Sequence, residues 1–371
     1  MWEILKLDRN TTFGTGTSSG TELIHLPRSN MIGMIYLTVR ATNGSGSNAA
    51  DDAEQQTVQE SLSRIEIMAN GESIKRYNGY DCRSIATYNM GRLPPEKRTQ
   101  VGAAVQESMF PIYFNTDLAD RNTIFPAPLC DSLDMEIEYN FTEDTDAGFA
   151  ATGFTYDLYM YVLPPDGDMQ NKDIILTKYK DRYTTTAAGI KKFDLTLNKT
   201  RRLSRVYMDI YEVLIAEGVD VTDVELKVNG NTMMNCKWSN LQQINALDRK
   251  LKWNEQILIE ANSTTDVIET RIPNLREHDF ASYAATNRDD TEYISVAPTA
   301  DSITLAQTNE ASGALSISSD VIPAFVVLDF DRAEIGEGIS QNVNTLELLL
   351  NDAAAGASVR ILEESIAKKW F

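Results

Sequence analysis

A strand-and-turn phrase that occurs twice constrains this chain more than any other feature. Ile65-Glu66-Ile67-Met68-Ala69-Asn70-Gly71 is answered by Val224-Glu225-Leu226-Lys227-Val228-Asn229-Gly230, an offset of 159 from Ile65 to Val224. Aliphatic residues alternating over about five positions and stopping at Asn-Gly specify a half-buried strand entering a tight hairpin. Side chains alternate faces along a strand, and Asn-Gly accepts positive φ. One such phrase is common; two in 371 residues predict a chain built from two copies of one β domain.

The parallel continues downstream. The first copy is followed by Phe110-Pro111-Ile112-Tyr113-Phe114-Asn115 and then Leu133-Asp134-Met135-Glu136-Ile137. The second is followed by Phe325-Val326-Val327-Leu328-Asp329-Phe330-Asp331 and then Leu346-Glu347-Leu348-Leu349-Leu350. Gly71 to Leu133 is 62 positions and Gly230 to Leu346 is 116, so the second copy carries 54 more residues. They fall within 252–320, a stretch rich in Thr, Asn, Asp, Ser and Ala that reads as a solvent-facing excursion. The strongest break in the strand pattern is Pro164-Pro165-Asp166-Gly167-Asp168. It sets the expected domains at 1–163 and 173–371, with a linker at 164–172.

Strand periodicity dominates both halves, so the expected fold class is all-β. Met31 to Val39 is a near-continuous apolar run suited to a strand buried on both sides. Leu133, Met135, Ile137 and Tyr139 alternate with Asp134, Glu136, Glu138 and Asn140, and Phe154 to Val162 repeats the pattern. Helical spacing is sparse. It predicts short helices over Pro95 to Gln106 and Trp238 to Leu251, the latter with Leu241, Ile244, Leu247 and Leu251 on one stripe. A C-terminal helix is expected over 358–371, where Leu362, Ile366 and Trp370 recur every fourth residue and Lys368 and Lys369 sit near the end. Phe13-Gly14-Thr15-Gly16-Thr17 reads as a flexible N-terminal arm.

Composition excludes several roles. Asp plus Glu number 54 against 34 Lys plus Arg, a formal charge of −20 that repels nucleic acid and anionic membrane. No apolar run approaches the roughly 18–20 residues of a membrane span, and Met-Trp-Glu-Ile-Leu-Lys-Leu lacks the apolar region of a signal peptide. Cys82, Cys130 and Cys236 are far apart and odd in number, so they are expected as small buried hydrophobes rather than disulfides or zinc ligands.

Catalytic constellations do not emerge either. His25 lies in a strand pattern and is expected to be partly buried; His278 lies in the polar excursion. No Gly-x-Ser-x-Gly elbow appears, and the Gly-rich stretches lack the lysine of a phosphate loop. Asp144, Asp146 and Gly148 meet only a fragment of a calcium loop. These acids, with Asp166-Gly167-Asp168 and Asp329-Phe330-Asp331, are expected to be solvated loop charge. No catalytic, cofactor-binding or metal-binding residue is assigned, no cofactor is expected, and the chain is read as a non-enzyme.

Two β domains of this size, each with an Asn-Gly hairpin and a late alternating strand, point to two tandem eight-stranded jelly rolls. Here the sequence resembles the double jelly-roll major capsid proteins of icosahedral bacteriophages, archaeal viruses and related DNA viruses. The residues that carry the likeness are Ile65 to Gly71, Val224 to Gly230, the strand at 110–114, Leu133 to Ile137 and the Asp-Gly linker after Val162. The resemblance implies a homotrimer with a pseudo-hexameric outline, tiling a virion capsid and made in the host cytoplasm. It implies neighbouring capsomers, vertex and minor capsid proteins as partners. The long insertion in the second roll would form an outward tower, and the C-terminal helix, with Trp370 and Phe371, would face a neighbour or an internal membrane. Trp2-Glu3-Ile4-Leu5 departs from the basic N-terminal helix of membrane-facing members. The alternative is a non-catalytic β-sandwich protein of a phage or microbe that binds carbohydrate or a receptor; Trp238 and Trp253, which look packed rather than displayed, weigh against it.

Overall fold

The computed structural model describes residues 2–14, 18–44, 56–99, 101–115, 120–141, 149–150, 152–197, 201–211, 221–261, 267–271, 280–285, 295–298, 302–306, 311–322, 324–330, 343–353 and 358–368. Its first half supplies β1 (Glu3–Thr12), β2 (Ser19–His25), β3 (Met31–Thr42), β4 (Leu62–Ala69), β5 (Glu72–Tyr77), α1 (Gly79–Met90), β6 (Glu96–Thr99), β7 (Val105–Tyr113), β8 (Leu133–Asn140) and β9 (Thr155–Leu163). A short 3-10 turn, Met169–Asn171, separates it from the second half. There follow β10 (Asp173–Thr184), β11 (Gly189–Asp194), β12 (Arg201–Tyr211), β13 (Val221–Val228), β14 (Asn231–Lys237) and α2 (Trp238–Arg249). Next come β15 (Trp253–Ala261), β16 (Val267–Arg271), β17 (Phe280–Ala285), β18 (Ser295–Pro298), β19 (Ser302–Ala306) and β20 (Ala311–Ser319). The chain closes with β21 (Phe325–Asp329), β22 (Leu346–Asp352) and β23 (Ser358–Lys368).

Each half makes the same two sheets. In the first, β1-β9-β3-β7 faces β2-β8-β4-β5; in the second, β10-β23-β12-β21 faces β11-β22-β13-β14. Numbering the eight strands of each roll in chain order, both halves pair 1-8-3-6 and 2-7-4-5, the order of a jelly roll. The insertion that the sequence places at 252–320 is itself strand-built. β15, β20 and β17 extend the first roll's sheet beyond β6, and β16-β19-β18 form a separate small sheet.

The repeat holds down to single hydrogen bonds. Asn70 and Asn229 sit at φ 52° and 49°, each followed by a glycine at φ 77° and 80°. Asn70 Oδ1 accepts from the backbone N–H of Asp131 (2.6 Å) and Ser132 (3.1 Å). Asn229 Oδ1 accepts in the same way from Asn344 (2.7 Å) and Thr345 (3.1 Å). Each hairpin is thereby tied to the turn that starts the neighbouring strand, and Ala69 pairs with Leu133 as Val228 pairs with Leu346.

Several expectations are corrected. Ser358–Lys368 of the expected C-terminal helix 358–371 is strand β23, paired on both sides between β10 and β12. A spacing of four is even, so Leu362 and Ile366 share a face of a strand as readily as of a helix. Trp370 and Phe371 lie outside the described residues. Pro95 to Gln106 is no helix: β6 and the start of β7 fall there, and the helix of the first roll is α1 instead. Of the expected arm at 13–17, Thr15, Gly16 and Thr17 lie outside the described residues; it is preceded by strand β1, paired with β9, with Leu5 and Leu7 packed on the core. Phe13 is buried against the rings of Tyr139, Phe141 and Tyr156. On α2 the stripe turns out differently, because Trp238, Leu241, Gln242 and Asn245 face inward. Asn245 takes its place inside by bonding both backbone groups of Val327 in β21, at 2.9 and 2.8 Å.

Candidate functional site: the seam between the rolls

The two rolls meet along a seam rather than through a linker alone. β5 of the first roll lies parallel to β10 of the second, with Lys75 opposite Thr177, and β6 lies parallel to β15. This exposes the outer face of the β10-β23-β12-β21 sheet to α1, so that sheet is buried on both sides. Its inward residues, among them Val206, Met208, Val359 and Ile361, form the second roll's core, whereas Tyr207, Leu362, Phe325 and Val327 join the core of the first.

Local sequence explains how α1 reaches this position. Asn78 caps the helix by accepting from the Asp81 N–H at 2.8 Å. Gly79 is required by a close approach, since a Cβ there would stand 2.3 Å from the Gln59 carbonyl oxygen. Gly91 closes the helix at φ 74°, and its own Cβ would lie 2.9 Å from the Arg249 carbonyl oxygen at the end of α2.

Ionised groups fill the seam. Arg205 on β12 bonds Asp329 (3.1 Å), Glu364 (3.2 Å) and the Asn89 side chain of α1 (3.3 Å). Asp329 also accepts from Arg249 (2.5 Å) and from Tyr88 of α1 (3.1 Å), while the Arg249 guanidinium stacks 4.7 Å above the Tyr88 ring. A second cluster joins Arg360 of β23 to Asp209 of β12 and to Asp81 of α1 (3.2 Å), and Tyr179 of β10 donates to Asp81 at 2.5 Å. Burial pushes the Asp209 carboxyl up to about 7, opposed by Arg360 and reinforced by Asp81. Lys75 is buried with its ammonium on Thr177 (3.1 Å), and burial pulls it down to about 8. Under the insertion, Arg98 of β6 pairs with Glu255 of β15 at 2.7 Å.

Burying so many charges costs desolvation that their attraction only just offsets, so the clusters add little net stability. What they do supply is geometry: each guanidinium has one arrangement of acceptors, which fixes the angle between the rolls. The site is thus mechanical, a rigid joint.

Most residues singled out in the sequence lie away from it. His25 is exposed on β2 rather than partly buried, with Nδ1 2.6 Å from Asp134. Cys82 and Cys130 are buried free thiols; Cys236 is half-buried and also free. Trp238 and Trp253 are buried. Asp166, exposed, pairs at 3.1 Å with the buried Lys172. Asp329 corrects the expectation of solvated loop charge, since it is buried at the centre of the seam. His278, Asp144, Asp146, Gly148 and Asp331 lie outside the described residues. Among the described residues no three His, Cys, Asp or Glu side chains gather as metal ligands. Sequence reasoning missed Asp81, Arg205, Asp209, Arg360 and Glu364. Their one signal was charge within strand or helix segments that otherwise read as buried.

The fold these observations define is the double jelly roll. No known family matches the sequence, and no curated protein does. Solved structures do match in shape. The chain superposes on the STIV major capsid protein with a TM-score of 0.63 and 11% identity, covering 99% of this chain and 97% of that one. The PBCV-1 virus capsid structure gives 0.56 at 9% identity, covering 99% and 94%. The major capsid protein P2 from bacteriophage PM2 gives 0.54 at 11%, covering 99% and 98%.

Proposed function

We propose that the chain is a viral major capsid protein, a structural subunit of the virion shell and not an enzyme. The observation that carries this is end-to-end likeness: the superposition covers 99% of this chain and 97% of the STIV capsid protein. In this reading 1–163 and 173–371 are two side-by-side tiles linked by 164–172. Three chains then make a capsomer of six rolls, which meets neighbouring capsomers and the vertex and minor proteins of the shell. A joint fixed by buried ion pairs suits a tile, because a curved shell requires each unit to keep one shape. The acidic surface keeps free capsomers apart before assembly.

The test is the size and shape of the purified chain. A compact trimer by sedimentation, with hexagonal outlines or shells by electron microscopy, is the expected result. A stable monomer that binds glycans would overturn the proposal and favour the adhesion reading.

A further inference from the structure

One row of buried side chains crosses from the first roll to the second. Strand register sets Lys75 of β5 beside Thr177 of β10, Thr177 beside Glu364 of β23, Glu364 beside Arg205 of β12, and Arg205 beside Asp329 of β21. Residues opposite one another on paired strands share a face, so all five look the same way. Arg205 holds both carboxylates, Glu364 at 3.2 Å and Asp329 at 3.1 Å. Lys75, at the far end, has the Thr177 hydroxyl at 3.1 Å. Among the described residues every other buried cation, Arg83, Arg98, Lys172, Arg205 and Arg360, lies within ion-pair distance of a carboxylate, and Lys75 does not. An ammonium has three protons to donate, and Thr177 takes one.

This row borders a cavity of about 10 Å3. Lys75 and Asn115 line it from the first roll, Arg205 and Glu364 from the second. Asn115, two residues beyond β7, is 3% exposed, and neither its amide oxygen nor its amide nitrogen meets a partner within the chain. A buried amide is stable in that state only where a bound group completes its hydrogen bonds. Size and charge define that group. A water needs ~10–15 Å3, so one small species fits and two do not. An anion would lie against Glu364, and a cation against Lys75 and Arg205. A neutral molecule that both donates and accepts suits every wall.

We infer that the cavity binds a single structural water, which accepts from the Lys75 ammonium, exchanges a hydrogen bond with the Asn115 amide and donates to Glu364, bridging the first roll to the second. Three partners are usual for a buried water. The inference concerns the joint within one chain and stands apart from the capsid reading. It also gives the one buried cation without a carboxylate its share of solvation. Burial pulls Lys75 down to about 8, and Glu364 opposes this without touching it.

Two experiments test the site. The first is a density map of the assembled chain fine enough to show ordered solvent. One peak ~2.7–3.2 Å from both Lys75 Nζ and the Asn115 amide is expected. A site without density overturns the inference, and so does a peak that gains anomalous signal when chloride is exchanged for bromide, which would mark an anion. The second is unfolding of Asn115→Leu, alone and with Lys75→Met. In a dry cavity Asn115→Leu removes two unpaired polar atoms and should raise Tm. With the bridge it strips Lys75 of its partner and should lower Tm. Lys75→Met should then cancel most of that loss, a coupling of roughly 3- to 100-fold in the unfolding equilibrium. A loss due to the bulk of leucine alone would persist beside Lys75→Met. Such additivity, or a gain in Tm from Asn115→Leu, overturns the bridge.

Discussion

Helices α1 and α2 begin with the same hairpin, run for the same twelve residues and end in the same left-handed turn, at Gly91 and Lys250. Their surroundings differ completely. α1 is enclosed on nearly every side, with Asp81, Arg83 and Thr87 buried in hydrogen bonds and ion pairs. α2 buries one face and shows Ile244 and Leu247 to solvent. Even the first helical residue has moved to the opposite extreme: Gly79 where the Gln59 backbone presses close, Trp238 buried in the core of the second roll. Duplication kept the backbone, and the neighbours dictated the side chains. The face with another roll against it carries matched charges; the equivalent face without one shows apolar groups to solvent.

The largest expected effect breaks the ionic side of that contrast. Arg205→Met leaves Asp329 and Glu364 buried with fewer partners and should cost about 3–5 kcal/mol of stability. Leu247→Ala, at the apolar counterpart, should change the isolated chain by less than ~0.5 kcal/mol. Urea unfolding of both variants measures the difference; equal losses would show that the seam is no more critical than open surface.

Next in size is a dependence on pH that belongs to the ionic groups of the seam. Asp209 releases its proton near 4 when unfolded but near 7 in the fold. Between those values the folded chain holds a proton that the unfolded chain has lost, so stability should fall as pH rises through this window, by up to ~1.4 kcal/mol per pH unit. Asp209→Asn should flatten the profile from pH 5 to 7. Lys75 acts in the opposite sense at higher pH. Its ammonium is held near 8 against a usual 10.5, so it contributes a rise in stability between those values. A melting profile flat across pH 5–7 in the unaltered chain would remove Asp209 from this role.

The same contrast explains what the sequence disclosed. The alternating strands β4, β8, β9 and β13 were legible because one face meets core and the other water. α1 was not, because a helix buried on all sides with Arg83 and Thr87 inside has no apolar stripe to find. Its signal was the repeat itself, since α2 moved back by 159 falls on Gly79–Met90. β23 misled because it is central and apolar on both faces, where a strand and a helix share the spacing of four. The seam residues were hidden for a related reason. Asp329 ends a strand in an Asp-Phe-Asp string that resembles surface charge, and only the fold brings Arg205, 124 residues earlier, onto it. Long-range pairing of that kind leaves no local trace.

The smallest expected effects lie where the two rolls have not diverged. Asn70 and Asn229 each hold positive φ and accept two backbone N–H groups at nearly the same distances. Alanine at either should cost about 1–2 kcal/mol, from the left-handed backbone and the lost acceptor together. The two losses should agree to within ~0.5 kcal/mol in thermal or urea unfolding. Unequal losses would mean that the turn's worth depends on the seam, which encloses the strand after the first hairpin and leaves the strand after the second open. Equal losses would place the asymmetry where the burial does, in the side chains of α1 and α2, with the backbone they share contributing the same in both rolls.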